Sequence, residues 1–531
     1  MATPSALFSS LPPLSSTEQQ PPLAPQPQQS SSSPLSPPSS ILIIGSGVFG
    51  LTTAYALSRR HDFANTTITV VDRADPSNPD VFPAPDAASV DTSRIIRADY
   101  PDAAYAALAA EAQLQWRQQT NPDDLGSEGR YSESGLLLVA DGPAPPPGTP
   151  VVTGTTVIDK SKLTGMDYAR FSWANVLSIA SSDPELAARI RECPDTEAIK
   201  AALGTGGSSG SWGYINGLSG WANAGASMAW LYKRVKAEGR INFVAGEMTN
   251  LEVSGNTVTG ARLSDGRVLS ADLVMVSAGA WTGRLVDLTG QAIATGQVLG
   301  YIDLTPEEEA QLAHMPVILN LSTGLFIIPP KNGVLKIARH AYGYLNPTAL
   351  SIPPLASSVT TPAAAVSLPL TTLSDPTLQI PAEGADDLRR ALHEMVPLPS
   401  LRDRPFSKTR ICWYSDTPTA DFIIDYHPEY KGLFVATGDS GHAFKFLPVI
   451  GEKIADVIAG QCPPEFVGKW NWRYPAADAA IKAVITEDGS RGGIPGLILS
   501  VYGVGEGIGC GQLKGDRERT YVGEEAMFTC R

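Results

Sequence analysis

A two-domain α/β fold is what this 531-residue sequence predicts, and three observations carry the prediction. A short apolar run, Ile41 to Ile44, leads into glycines at 45, 47 and 50 and then into a helical pattern. A second strand-like run, TTITVVDR, follows that helix and ends in an acid. Further along, short strands and turns alternate over a long middle region, as a mixed sheet requires. The length suffices for two domains with a large core.

Each element has a local reason. Gly45, Gly47 and Gly50 give the spacing G-x-G-x-x-G between a strand and a helix. Glycines there tighten the turn and let backbone N–H groups approach a pyrophosphate at the helix N-terminus. Val48 and Phe49 lie inside that loop, and Asp72 ends the next strand where a ribose hydroxyl is held, with Arg73 beside it. Strand, helix and acid together point to a Rossmann-like dinucleotide-binding unit, whereas the glycine triplet alone is a weak signal.

SSGSWGYINGLSGWANAGASMAWLYKRVKAEG reads as a turn-rich stretch entering an amphipathic helix. Short strands with turns at SGN and SDG follow, then a buried strand that ends in Ser277, Ala278, Gly279, Ala280 and Trp281. Small residues such as Ala278 and Gly279 at that tip let the chain pass close to a cofactor. GLFIIPPKNGVLKIARHAYGY supplies further strands, and the Pro- and Thr-rich stretch near 351–376 reads as an exposed insertion. Beyond about Pro475 the chain turns Gly-rich and predicts no regular element.

Composition excludes several functions. The formal charge is −14, which disfavours nucleic acid as a partner. No stretch has the length and continuity of a transmembrane helix. Residues 1–40 are Pro, Ser and Gln with Glu18 the only charge, and are expected to be a disordered leader. The cysteines at 193, 412, 462, 510 and 530 have neither metal-ligand spacing nor a disulfide framework, so no metal is expected. A buried cysteine is ordinarily a small hydrophobe, and from the bare residues Cys412 in RICWYSDTPTADFIIDYHPEY could be just that.

The motifs ILIIGSGVFGLTTAYAL, DTSRIIRADYPD, VLKIARHAYGY, RICWYSDTPTADFIIDYHPEY and ATGDSGHAFKFLP occur in that order. Over roughly residues 41–475 the chain thereby resembles the sarcosine oxidase, fructosyl-amino-acid oxidase (amadoriase) and saccharopine oxidase group of FAD-dependent amine oxidases. The resemblance implies a two-domain flavoprotein. Its FAD-binding domain comprises residues 41–100, 221–292 and 404–475, and its substrate domain residues 101–220 and 293–403, before an irregular tail over 476–531.

It also implies roles. Cys412 matches the cysteine that holds the flavin covalently through its 8α-methyl group, and a thiolate is nucleophilic enough for that bond. Lys336 matches the lysine near the flavin, where a cation favours electron transfer to O2, and His340 shapes the site. Arg94, next to Ser93, packs against the flavin. Arg97 grips a substrate carboxylate, for which a planar guanidinium is suited. Gly438, Asp439, Ser440 and Gly441 serve the cofactor. Lys445 is a candidate for the cofactor and for the substrate anion, and Arg473 in KWNWRYP is a further carboxylate candidate. Tyr414 either faces the site or packs.

The reaction implied is oxidation of the C–N bond of a secondary amine or N-substituted amino acid to an imine, with O2 giving H2O2. The alternative is a tailoring oxidase or oxidative cyclase acting on an N-methylated intermediate of fungal secondary metabolism. A flavin-binding protein without turnover is disfavoured by the joint presence of the cysteine, the lysine and both arginines. A monomer working on a small molecule is expected. The ending Thr529-Cys530-Arg531 is not a peroxisomal tripeptide, so a cytoplasmic location is expected rather than a peroxisomal one.

Overall fold

The α/β class holds in the computed structural model, which describes residues 36–78, 81–143, 163–356, 365–473 and 486–499. A six-stranded sheet forms around Ser40–Ile44. Its spatial order is Ile423–Tyr426, Leu433–Thr437, Leu273–Val276, Ser40–Ile44, Thr67–Asp72 and Ile241–Ala245. All neighbours are parallel except the Ile423–Tyr426 edge. A central parallel strand is covered on both faces, which is why Ile41 to Ile44 is apolar without alternation and fully buried.

A ten-stranded mixed sheet carries the rest of the site. At its centre Ile293–Asp303 pairs antiparallel with Val334–Arg339 on one side and Lys408–Asp416 on the other. Tyr301 stands opposite Lys336, and Gln297 opposite Cys412. Side chains on paired strands alternate between faces with a period of two. Val298, Ile302, Leu335, Ile337, Ile411 and Trp413 therefore enter one hydrophobic core. Leu299, Tyr301, Ala338 and Cys412 gather on the opposite face.

Three stretches differ from expectation. The turn-rich stretch near 208–223 contains the strands Trp212–Asn216 and Gly220–Ala222. Its glycines mark close strand packing, since a Cβ at Gly213 would lie 2.4 Å from the Leu138 carbonyl oxygen and one at Gly220 2.0 Å from that of Ser132. The flanks of the expected exposed insertion pair as a hairpin, Pro347–Ala349 with Ala365–Ser367. Leu368 and Thr371 beyond them are buried, while residues 357–364 lie outside the described residues.

The third is the tail, expected to be irregular. Leu497–Ile498 pairs parallel with Tyr344–Leu345, and Gly492 bridges Ala341. Thr486 and Glu487 are bonded to the carbonyls of Thr417 and Pro418. Gly492 explains part of the composition: a Cβ there would meet the Thr323 carbonyl carbon at 2.0 Å. The leader up to residue 35, and the chain after residue 499, lie outside the described residues. The described residues from Pro37 onward pack as one compact unit. No helix among the described residues is long and apolar enough to cross a membrane.

Candidate active site

The first cavity lies over the carboxyl ends of the parallel strands. Gly45, Gly47, Val48, Phe49, Asp72, Arg73, Ala278 and Gly279 line it, together with Asp439 and Gly441. Gly45 has φ +98, and its Cβ would strike the Ser277 carbonyl oxygen at 2.5 Å. Gly47 caps the helix Val48–Arg59 without any side-chain hydrogen bond, and a Cβ placed on it meets nothing within 4 Å. That is an open helix N-terminus lined by unobstructed backbone, the arrangement that takes a phosphate. Asp72 accepts from the Ser46 amide at 2.8 Å and from its hydroxyl at 2.7 Å, which fixes the carboxylate at the cavity wall. Arg73 pairs with Asp86 and lies 4.2 Å above the Trp281 ring.

The third glycine has another task. A Cβ on Gly50 would stand 1.9 Å from the Gly45 carbonyl oxygen, so this residue lets helix and strand close up. Gly50→Ala is expected to lower stability by about 1–3 kcal/mol, as overpacking does. Gly47→Ala is expected to leave the melting temperature of the flavin-free protein unchanged yet lose cofactor. Thermal unfolding and flavin absorbance of the two variants check this. Equal melting-temperature losses in both would contradict it.

The second cavity shares Arg94, Tyr414, Gly441 and Phe444 with the first, so the two meet along that wall. Arg97, Lys336, His340, Cys412 and Lys445 line it as well. These eight predicted residues, Arg94, Arg97, Lys336, His340, Cys412, Tyr414, Gly441 and Lys445, come from four separate stretches of the chain. The mixed sheet supplies Lys336, Cys412 and Tyr414, and His340 follows directly on the strand Val334–Arg339. The short strand Arg94–Ile96, paired with Gly220–Ala222, brings in the two arginines.

Asp91, absent from the sequence expectations, organises this positive charge. Lys336 Nζ donates to Asp91 Oδ2 at 2.8 Å and to the Ser93 carbonyl at 2.6 Å. Arg94 pairs with the same carboxylate, and the Tyr301 hydroxyl donates to its other oxygen at 2.7 Å. Burial alone would raise the Asp91 carboxyl, but Lys336, Arg94 and Arg410 hold it well below the usual carboxylate range. Burial brings the Lys336 ammonium down to about 8 against the raising pull of Asp91. Arg94 Nη2 also reaches Cys412 Sγ at 3.4 Å.

Arg97 is buried. Its Nη2 donates to the Tyr168 hydroxyl at 3.0 Å, and its guanidinium lies 4.8 Å above the Tyr100 ring. Its Nη1 has no hydrogen-bond partner among the described residues. Lys445 Nζ donates to the Tyr100 hydroxyl at 2.8 Å and the His442 carbonyl at 2.9 Å. Burial, then the neighbouring Arg97, pulls this ammonium well below its ordinary value. Burial also pushes the Asp439 carboxyl up to about 7.

Some predicted residues stand elsewhere. Gly438 and Ser440 shape the turn behind the cavities, both at positive φ, and Ser93 contributes its carbonyl. Arg473 does not join Arg97 and Lys445. Its guanidinium bonds Thr419 and lies 3.9 Å from Asp421, and it lines neither cavity. The tail arginine that contacts a cavity-lining residue is Arg491, which sequence reasoning missed and which lines neither cavity itself. It is buried and bonded to Asp416, Ser440 and His340. No group of His, Cys, Asp or Glu suited to a metal ion occurs among the described residues.

Residues 40–457 match the family described as FAD dependent oxidoreductase, and the chain belongs to that family. An amino acid oxidase of Aspergillus flavus, imqH, is 34% identical over 505 residues, covering 84% of this chain and 99% of that protein. The L-saccharopine oxidase of Schizosaccharomyces pombe is 30% identical, covering 82% and 93%. Among solved structures, a thermally stable mutant of fructosyl peptide oxidase is similar with a TM-score of 0.69 at 25% identity, covering 88% of this chain and 98% of that one. Aspergillus fumigatus fructosamine oxidase, amadoriase II, gives 0.65 at 27%, with 87% and 95% covered. This chain is an FAD-dependent oxidoreductase, and the glycine loop, the open helix terminus and Asp72 are the residues that fit its cofactor.

Proposed function

We propose that the enzyme oxidises the C–N bond of a secondary amine or N-substituted amino acid to an imine, and that O2 takes the electrons to give H2O2. The similarity to amino acid, saccharopine and fructosyl-amine oxidases supports the reaction class. The observation that carries the substrate class is the Nη1 of buried Arg97, without a partner among the described residues, in a cavity also lined by Lys445. A buried cation without an acceptor is costly, and a substrate carboxylate beside the amine supplies one. Such a carboxylate also restores the charge of Lys445, which burial otherwise disfavours.

Bound FAD, held by the glycine loop and Asp72, would supply the redox chemistry, taking up the substrate's hydride equivalent and passing electrons to O2. The chain's own residues bind and orient. Arg97 and Lys445 hold the carboxylate, Tyr100 and Tyr168 fix Arg97, and Asp91 holds Lys336 as a cation beside the meeting point of the cavities. The amine reacts as the free base, so the substrate half-reaction speeds up with pH until the bound amine is neutral.

Cys412 is read as the covalent tether. It projects from the face of the sheet that lines the second cavity, with Arg94 Nη2 3.4 Å from its sulfur. Acid-precipitated protein is expected to stay yellow, with the flavin mass on the peptide containing Cys412. Cys412→Ala is expected to release all flavin on precipitation. Flavin wholly in the supernatant of the wild type would rule the tether out. The experiment that tests the reaction is an oxygen-uptake screen of N-methyl, N-fructosyl and N-carboxyalkyl amino acids, with H2O2 and imine products followed. Uptake with none of these classes, from fully flavin-loaded protein, would overturn it.

A further inference from the structure

We infer that Arg491, delivered by the returning segment 486–499, is a positioning residue that fixes His340 as a neutral imidazole with its proton on Nε2. The inference starts from donor counting. A guanidinium only donates, and Arg491 Nη1 lies 3.1 Å from His340 Nδ1. Nδ1 must therefore present its lone pair, and the ring proton sits on Nε2. No protein partner for Nε2 is found among the described residues, and the ring lines the second cavity.

Both partners are held rigidly. The His340 amide donates to the Gly324 carbonyl at 2.6 Å, and its own carbonyl accepts from Gly492 at 3.2 Å. Arg491 Nη2 donates to Asp416 Oδ1 at 2.6 Å and to the Ser440 carbonyl at 2.9 Å. Asp416 is in turn fixed by Thr295 at 2.6 Å. Ser440 and Asp416 flank the turn that carries Gly441 to the cavity, so one guanidinium ties that turn to the histidine.

The surroundings agree. Arg491, Arg97, His442 and Lys445 face the imidazole, and the Tyr414 ring lies 5.8 Å away, while Asp416 reaches Arg491 instead. Burial, then the guanidiniums of Arg491 and Arg97, hold His340 well below its ordinary value, so it stays neutral. Seen from the cavity, His340 is a hydrogen-bond donor. On the proposed reading of that cavity as the substrate site, the group opposite must accept: an oxygen or an uncharged amine, never an ammonium.

The test uses full-length, flavin-loaded enzyme labelled with 15N-histidine, with the His340 signals assigned by their loss in His340→Gln. Wild type is expected to show only the Nε2–H tautomer across about pH 6 to 8, where a free imidazole changes charge. Arg491→Met is expected to give mixed tautomers or a titrating ring, and Arg491→Lys, which still donates, to restore the single tautomer. If Arg491→Met does not accumulate, Arg491→Gln, whose amide can also accept, is the second variant. An Nδ1–H or protonated ring in wild type, or an unchanged tautomer in Arg491→Met, overturns the inference. This readout needs no substrate, so it stands apart from a failed amine screen. With a substrate in hand, Arg491→Met is expected to lower kcat/KM about tenfold, and under about twofold in a His340→Gln background. Equal losses in both backgrounds would also overturn it.

Discussion

Arg97→Ala is expected to cripple oxidation of amines that carry a carboxylate while sparing matched amines that lack one. Truncating one partner of a buried charge pair typically costs about 2–5 kcal/mol, roughly 30- to 4000-fold in kcat/KM. The discrimination matters more than the size. Arg97 is held by Tyr168 and stacked on Tyr100, so its removal also disturbs the cavity wall. A wall defect slows both substrate types alike, whereas loss of a carboxylate anchor slows one. Steady-state kinetics on the two members of a pair separates these outcomes. If neutral amines were the better substrates of wild type and ignored the change, the amino-acid reading would fall and the cyclising oxidase would replace it.

Lys336→Met is expected to slow the oxygen half-reaction by about a hundredfold or more, with little effect on the substrate half-reaction. The pH dependence follows from the same residue. Its ammonium is lowered from 10.5 to about 8, so the charge is present below that value and lost as pH rises through it. The oxygen half-reaction should therefore be fastest below about pH 8 and decline above, opposite in sign to the rise expected for amine oxidation. Asp91→Asn removes the pull that raises Lys336, so the decline should move to lower pH. Stopped-flow mixing of pre-reduced enzyme with O2 over a pH series measures this. An oxygen reaction in Lys336→Met as fast as wild type would return Lys336 to a purely structural role.

The parts of this molecule that can be read from sequence are those with local causes. The glycine triplet, the acid closing Thr67–Asp72 and the turns between short strands all follow from backbone conformation within a few residues. The clustering of Arg94, Arg97, Lys336, His340, Cys412, Tyr414 and Lys445 came through resemblance, because nothing local says that strands so far apart will pair. Asp91 escaped notice because a lone acid before Thr92 looks like any loop residue. Its importance comes from a lysine 245 positions away. Arg473 misled for the converse reason: an arginine among tryptophans suggests a binding tail, yet Thr419 and Asp421 occupy it. Arg491 sits in a glycine-rich run whose composition predicts no regular element, although a glycine there lets backbone approach backbone.

The contacts of Cys412 and Arg491 have a consequence for biosynthesis. Arg94 touches a sulfur 318 residues downstream. A ribosome adding about 5–20 residues per second needs roughly 16–64 s to cover that span. The dinucleotide loop emerges early and waits. His340 waits in turn, since its arginine lies 151 positions further on. Bringing Arg94 to Cys412 and Arg491 to His340 is thus a late event in the life of each chain, complete only once residue 491 has been made. A chain cut short between residues 460 and 485 retains every strand of the parallel sheet but never receives the arginine that orients the histidine.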